Sequence, residues 1–207
     1  ISEPDRGISD AFNKGIAQTS GEIVGLLNSD DFYLPGTLGQ VVAAFAQQPG
    51  VGFVFGDQIF VDAEDKVLFC QKGDPDFASR ISNGMPSVPH PATFVRRQVY
   101  AQHGGFDLSY KTAMDYELLL RFHRAGVTGY YLPQALAAMR TGGESDCNFA
   151  RAYAEVRDIS IRYGYNRHLA YLLYGWRLMK TYFRQQFEQK GLTSLVGMFR
   201  RMFSRRY

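Results

Sequence analysis

Apolar and polar positions alternate along this chain with two periods, one helical and one extended. Residues 8–18 place Ile8, Ala11, Phe12, Gly15 and Ile16 on one helical face, and Ser20-Gly21 ends the pattern. Residues 23–27 form a short unbroken apolar run, which predicts a buried strand of the parallel type. Pro35 fits the first turn of a following helix, with Leu38, Val41, Val42 and Phe45 as its inner face and Pro49-Gly50 as its stop. Residues 51–55 predict a second strand, and 57–69 a hairpin with its tip at 62–66. Residues 71–91 are rich in Gly, Pro, Ser and Asp and read as a long loop, a length more often functional than idle. A strand at 92–95 and a short helix ending at Gly104-Gly105 follow. Residues 115–125 predict a helix with Leu118, Leu119 and Phe122 inward and Gly126 as its C-terminal stop. Strands are expected at 127–132 and 135–139, and the pattern from Phe149 onward is helical. The strand–helix–strand order predicts an α/β domain.

Composition narrows the class. With 207 residues, 45% of them apolar and 14% aromatic, the chain supports a single folded core rather than disorder. The two cysteines, Cys70 and Cys147, give no disulfide framework, so a reducing, cytoplasmic setting is expected. No apolar run reaches the roughly 20 residues of a membrane span, and no signal peptide is read. The net charge of +3 hides an asymmetry: residues 1–150 hold 11 Lys/Arg against 17 Asp/Glu, and 151–207 hold 12 against 3. The basic, aromatic-rich tail suits either an anionic membrane surface or a helical pair packed on the body with its charges in water. No nucleic-acid motif accompanies the charge, so nucleic acid is not expected as a partner.

Three segments could carry chemistry. "LLNSDDFYLPG" places Asp30 and Asp31 just beyond a strand end, where two carboxylates suit either a solvated turn or a hard divalent ion such as Mg²⁺ or Mn²⁺. "SEPDRGISDAFNKG" gathers Asp5, Asn13 and Lys14 around a glycine turn at a helix start, fit for a diphosphate or for an ordinary cap. "AMDYELLLRF" sets Asp115 at a helix start, as general base or as N-cap, with Glu117 and Arg121 spaced as a surface i,i+4 pair.

Together these residues resemble a family 2 glycosyltransferase. The likeness runs through "SEPDRGISDAFNKGIAQTSGEIVGLLNSDDFYLPGTL", "HPATFVRR", "GGFD", "MDYELLLR" and "LAAMRTGGESD", in order, over roughly residues 1–146. It implies a Rossmann-like GT-A nucleotide-sugar transferase domain at 1–146 and a basic helical extension at 147–207. It also implies that Asp31 is the direct ligand of Mg²⁺ or Mn²⁺, with Asp30 beside it touching metal or donor. Asp5, Asn13, Lys14 and Arg140 would line the donor site, and Asp115 would deprotonate the acceptor hydroxyl. His90, Glu117 and Arg121 would either orient the site or tie the fold together. The implied reaction is an inverting transfer from a nucleotide sugar to a glycan or lipid-linked acceptor, in polysaccharide or envelope synthesis at the cytoplasmic face of a membrane. Such proteins open with a strand–helix–strand that holds the base, and nothing here corresponds to it. The catalytic domain is therefore expected to be N-terminally incomplete, and a catalytically incompetent fragment is the alternative reading. A metal-dependent phosphohydrolase is a third, and would need a denser ligand cluster.

Overall fold

The computed structural model describes residues 3–141 and 149–189. The "GGESD" segment, Cys147 and the apolar stripe at 192–203 lie outside the described residues. The element order is α1 (Ile8–Gln18), β1 (Ile23–Gly25), β2 (Phe32–Tyr33), α2 (Thr37–Gln47), β3 (Phe53–Val61), β4 (Val67–Gln71), α3 (Phe77–Arg80), β5 (Thr93–Arg96), α4 (Arg97–His103), α5 (Met114–Arg124), β6 (Gly129–Arg140), α6 (Phe149–Arg162) and α7 (Arg167–Gln189). Two short 3-10 turns, Ile81–Asn83 and His90–Ala92, lie between α3 and β5.

Five strands follow the order β1-β5-β3-β6-β2, and β4 pairs with β3. β3 is central because its side chains alternate between two cores, as strand geometry requires. Phe53 and Phe55 face the larger core, with Tyr100 of α4, Tyr116, Leu120 and Phe122 of α5, and Val156 and Ile159 of α6. Val54 faces the smaller one, with Val41 and Phe45 of α2, Phe94 and Leu136. Helices therefore cover both faces of a mixed sheet.

Several expectations shift. The run at 23–27 is a three-residue strand paired antiparallel with β5 (Val24 with Val95), not a parallel-type strand, and only Val24 in it is buried. β3–β6 is the one parallel pairing among the described strands. The strands expected at 127–132 and 135–139 are one continuous β6; the register with β3 shifts near Asp57, which accommodates Pro133. Gly56 is required there, since a Cβ would stand 2.6 Å from the Gln134 carbonyl oxygen. Leu38 and Val42 of α2 face solvent, and its inner face is Thr37, Val41, Ala44 and Phe45. Pro35 precedes the helix, with Gly36 in the left-handed conformation as its N-cap. In α1, Ile8, Ala11 and Gly15 are exposed, and the face turned to the body carries Ser9, Phe12 and Ile16. The long loop at 71–91 is not a surface loop throughout: it drives Phe77, Ile81 and Val88 into the larger core.

Candidate active site

The acidic turn is built by strand pairing. β2 pairs with β6 with Phe32 opposite Ala138, which brings Arg140 against the residues just before β2. The Arg140 backbone N–H donates to Asp31 Oδ1 at 3.2 Å, and Asn28 Nδ2 donates to Asp31 Oδ2 at 3.1 Å. Asp31 is only 8% exposed, and burial lifts its carboxyl above the usual range; the two donated bonds oppose this, and the neighbouring Asp30 charge adds to it. Asp30 is exposed, and its carboxylate makes no hydrogen bond or ion pair among the described residues. The Arg140 guanidinium donates to the Asp30 carbonyl, pairs with Asp65 at 2.7 Å and lies over the Phe32 ring. Sequence reading missed Asp65, a hairpin-tip residue held at φ 62, whose only signal was its place in that tip.

Asp115 opens α5, but it is not that helix's cap. Glu155 of α6 supplies the cap from a distance in sequence: its Oε2 accepts from the Thr112 N–H at 2.8 Å, the Ala113 N–H at 2.9 Å and the Thr112 hydroxyl at 2.9 Å. Burial works against the Glu155 charge, yet those N–H groups and Arg151 bring its carboxyl down to about 2. Asp115 is thereby left, in a half-buried position, with only local backbone donors, the Tyr116 N–H at 2.8 Å and its own N–H. Burial pushes its carboxyl up to about 6 despite those bonds. It lines a small cavity with His90, Leu26, Val95, Tyr100 and Phe106. His90 stacks on Phe12 at 5.0 Å, and its buried Nε2 has no hydrogen-bond partner among the described residues. Burial holds that imidazole near 4, hence neutral at pH 7. Leu26, on the wall of the Asp115 cavity, lies five residues before Asp31. The short stretch 26–31 thus joins the two acidic features.

The remaining expected residues are engaged elsewhere. Asn13 spends its amide on the backbone of Phe106, donating to the carbonyl at 2.9 Å and accepting the N–H at 2.7 Å. Gly105 fits only because it lacks a Cβ, which would stand 2.1 Å from Asn13 Oδ1. Glu117 and Arg121 are not a surface pair. Glu117 is 1% exposed, meets Arg121 at 2.9 Å and accepts from the Tyr163 hydroxyl at 2.6 Å. Arg121 donates in turn to the carbonyls of His103, Gly104 and Gly105. Asn13 and Arg121 therefore clamp the "GGF" turn from two sides. Lys14 donates to the Pro4 carbonyl and meets Glu3 and Asp10, and Asp5 accepts the Gly7 N–H at 2.8 Å as an ordinary turn residue.

The comparison with known proteins gives this arrangement a family. Residues 1–104 match the sequence model of glycosyl transferase family 2. The chain belongs to this family. An uncharacterized glycosyltransferase of Mycobacterium tuberculosis is 36% identical over 125 residues, which are 58% of this chain and 45% of that protein. The O-antigen biosynthesis protein RfbC of Myxococcus xanthus is 28% identical over 140 residues, 67% of this chain and 11% of that protein. A PGL/p-HBAD biosynthesis glycosyltransferase of Mycobacterium bovis is 24% identical over 174 residues, 78% of this chain and 62% of that protein. The chain spans about half the length of the first of these relatives. Among solved structures, residues 1–349 of Staphylococcus aureus TarS in complex with UDP-GlcNAc superpose with a TM-score of 0.54 at 14% identity, covering 82% of this chain and 51% of that 1–349 chain. That likeness supports the GT-A architecture of this family 2 chain.

Proposed function

We propose that this family 2 protein transfers a sugar from a nucleotide-sugar donor to a hydroxyl of a glycan or lipid-linked acceptor in envelope or polysaccharide synthesis, with inversion at the anomeric carbon. The observation that carries the reading is Asp115: a half-buried carboxylate relieved of cap duty by Glu155, lifted to about 6, in a cavity that the acidic turn's own leader enters. A sugar hydroxyl is a weak nucleophile, so a carboxylate within reach must take its proton during attack, and a base near neutrality does this best. We take the transferase unit as residues 1–146, followed by a basic extension at 147–207. Work at the cytoplasmic face of a membrane fits the basic extension.

Asp30 and Asp31 suit a hard divalent ion. Asp31 keeps lone pairs beyond the two hydrogen bonds it accepts, and Asp30 is unengaged among the described residues. Among those residues no group of three His, Cys, Asp or Glu gathers, so on an ion held by Asp30 and Asp31 water and donor phosphates would supply the remaining ligands. Mg²⁺ or Mn²⁺ held there would neutralise charge on the departing nucleoside diphosphate. Arg140 fixes the Asp30-Asp31 turn through its backbone N–H, and its guanidinium would turn to the diphosphate only by leaving Asp65. Asp5 and Lys14 stay in the donor set as exposed or half-exposed groups. Asn13, Glu117 and Arg121 hold the "GGF" turn instead, and neutral His90 orients the Asp115 cavity.

The test is donor turnover by the full-length protein with Mn²⁺, with excess chelator, and in Asp31→Ala. The expected result is activity with metal and loss of at least about 10²-fold in the other two. Full activity in chelator would overturn the metal assignment, and absence of turnover from every nucleotide sugar would overturn the transferase reading.

A further inference from the structure

α7 turns toward solvent a face that no described residue covers. Leu169, Leu172, Trp176, Met179 and Phe183 are all exposed, from 44% to 68%, and their 3-4-3-4 spacing sets them in one stripe along the helix. Tyr171 and Tyr182 flank it, equally exposed. The opposite side is occupied: Ala170 and Thr181 are buried, and the Tyr153 hydroxyl of α6 meets Thr181 Oγ1 at 3.0 Å. On that side Arg177 also reaches the Gly84 backbone. An apolar stripe left exposed on a helix whose other side is already packed marks an interaction surface. Among the described residues, the exposed basic positions of α7 are Arg167 and His168, both in its first turn, and the exposed tyrosines Tyr171 and Tyr182 are its other titratable exposed groups.

Charge selects what covers the stripe. Residues 167–207 carry nine Lys/Arg and a single acid, Glu188. A second copy would set this excess against itself, and residues 190–207, with Lys190, Arg200, Arg201, Arg205 and Arg206, would add cations to cations. An anionic lipid surface complements both features, because aromatic and aliphatic side chains enter the headgroup boundary while Lys and Arg meet the phosphates. No described helix is long and apolar enough to cross a membrane. We propose that α7 is an interfacial helix that lays its Leu172–Trp176–Phe183 stripe into the surface of an anionic bilayer.

Trp176 is the chain's sole tryptophan and stands mid-stripe, so its fluorescence reads the contact directly. The chain is titrated with phosphatidylglycerol/phosphatidylcholine vesicles, with and without brominated acyl chains. The expected result is a blue-shifted emission quenched by bromolipid. Binding should weaken roughly tenfold in Leu172→Glu, whose thermal melt should match the parent because that position is 68% exposed. It should weaken likewise when salt rises from 0.1 to 1 M, which shortens the screening length from about 10 to about 3 Å. An emission indifferent to anionic vesicles overturns the proposal. So does a Trp176 already shielded from acrylamide without lipid, in a monomer covered by its own residues 190–207 or in a dimer covered by a second copy, as sedimentation would distinguish.

Discussion

At the scale of single residues, Asp115 and Glu155 form a division of labour between two carboxylates. Glu155 takes the N–H groups that start the helix and stays ionised, while Asp115 keeps only its own and its neighbour's N–H and sits high. Asp115→Asn should lower turnover by about 10²–10⁴-fold while leaving donor affinity unchanged, read from single-turnover rates against equilibrium binding. The same change should stabilise the fold at neutral pH. A carboxyl raised from 3.8 to about 6 on folding is easier to bury protonated, so its contribution falls as pH rises from about 4 to 6 and stays lost above. Allowing for its partial exposure, on the order of 1–2 kcal/mol should return in Asp115→Asn, measurable by urea titration at pH 7. Glu155 has the opposite sign. Its folded value, about 2 against 4.5, gives stability that is present above 4.5 and lost as pH falls toward 2. Glu155→Gln should therefore flatten the acid limb of the stability curve, and by loosening the start of α5 it should lower kcat more than it raises KM.

At the scale of elements, the buried Glu117–Arg121 pair is a strut between α5 and the "GGF" turn. Glu117→Ala leaves the Arg121 charge in a mostly buried place with the Tyr163 hydroxyl unanswered, and should cost about 3–5 kcal/mol in a denaturant melt. Gly105→Ala should cost about 1–3 kcal/mol, since its Cβ must push Asn13 off Phe106. The strut was illegible in the sequence. An i,i+4 Glu–Arg spacing looks identical on a wet helix face and in a core, and only the packing of α4 and α6 around α5 decides which it is. Helix existence was legible from period alone: α1, α2 and α5 fall within a few residues of their expected spans. Helix orientation was less so. Leu38 and Val42 share the apolar character of Val41 and Phe45, so the pattern could not say which edge of α2 meets the sheet. Strand direction was hidden too, because a short apolar run such as Ile23–Gly25 suits parallel and antiparallel neighbours alike.

At the scale of the molecule, the sheet gathers on one side what the sequence scatters over a hundred residues. The β2–β6 pairing ties Asp30-Asp31 to Arg140, and the β1–β5 pairing sets the leader of the acidic turn beside the cavity of His90 and Asp115. The ordered acidic, "HPATFVRR", "GGFD" and "MDYELLLR" segments were readable as a set before any of them was readable alone, because each has an ordinary structural use. For the "GGFD" turn, Asn13 and Arg121, that ordinary use is what the fold displays. The basic extension reaches the same core through Val156 and Ile159 of α6, so α7 rides on the body that holds Asp115: Tyr116, next in sequence, meets Ser160 of α6 at 2.8 Å. The most direct test of the central claim is the pH dependence of kcat/KM for sugar transfer by the full-length protein with Mn²⁺, measured beside Asp115→Asn. A rate that rises through pH about 6, with both the rate and that step lost in Asp115→Asn, is the predicted result. Near-normal turnover in the variant, or an unchanged profile, would contradict it.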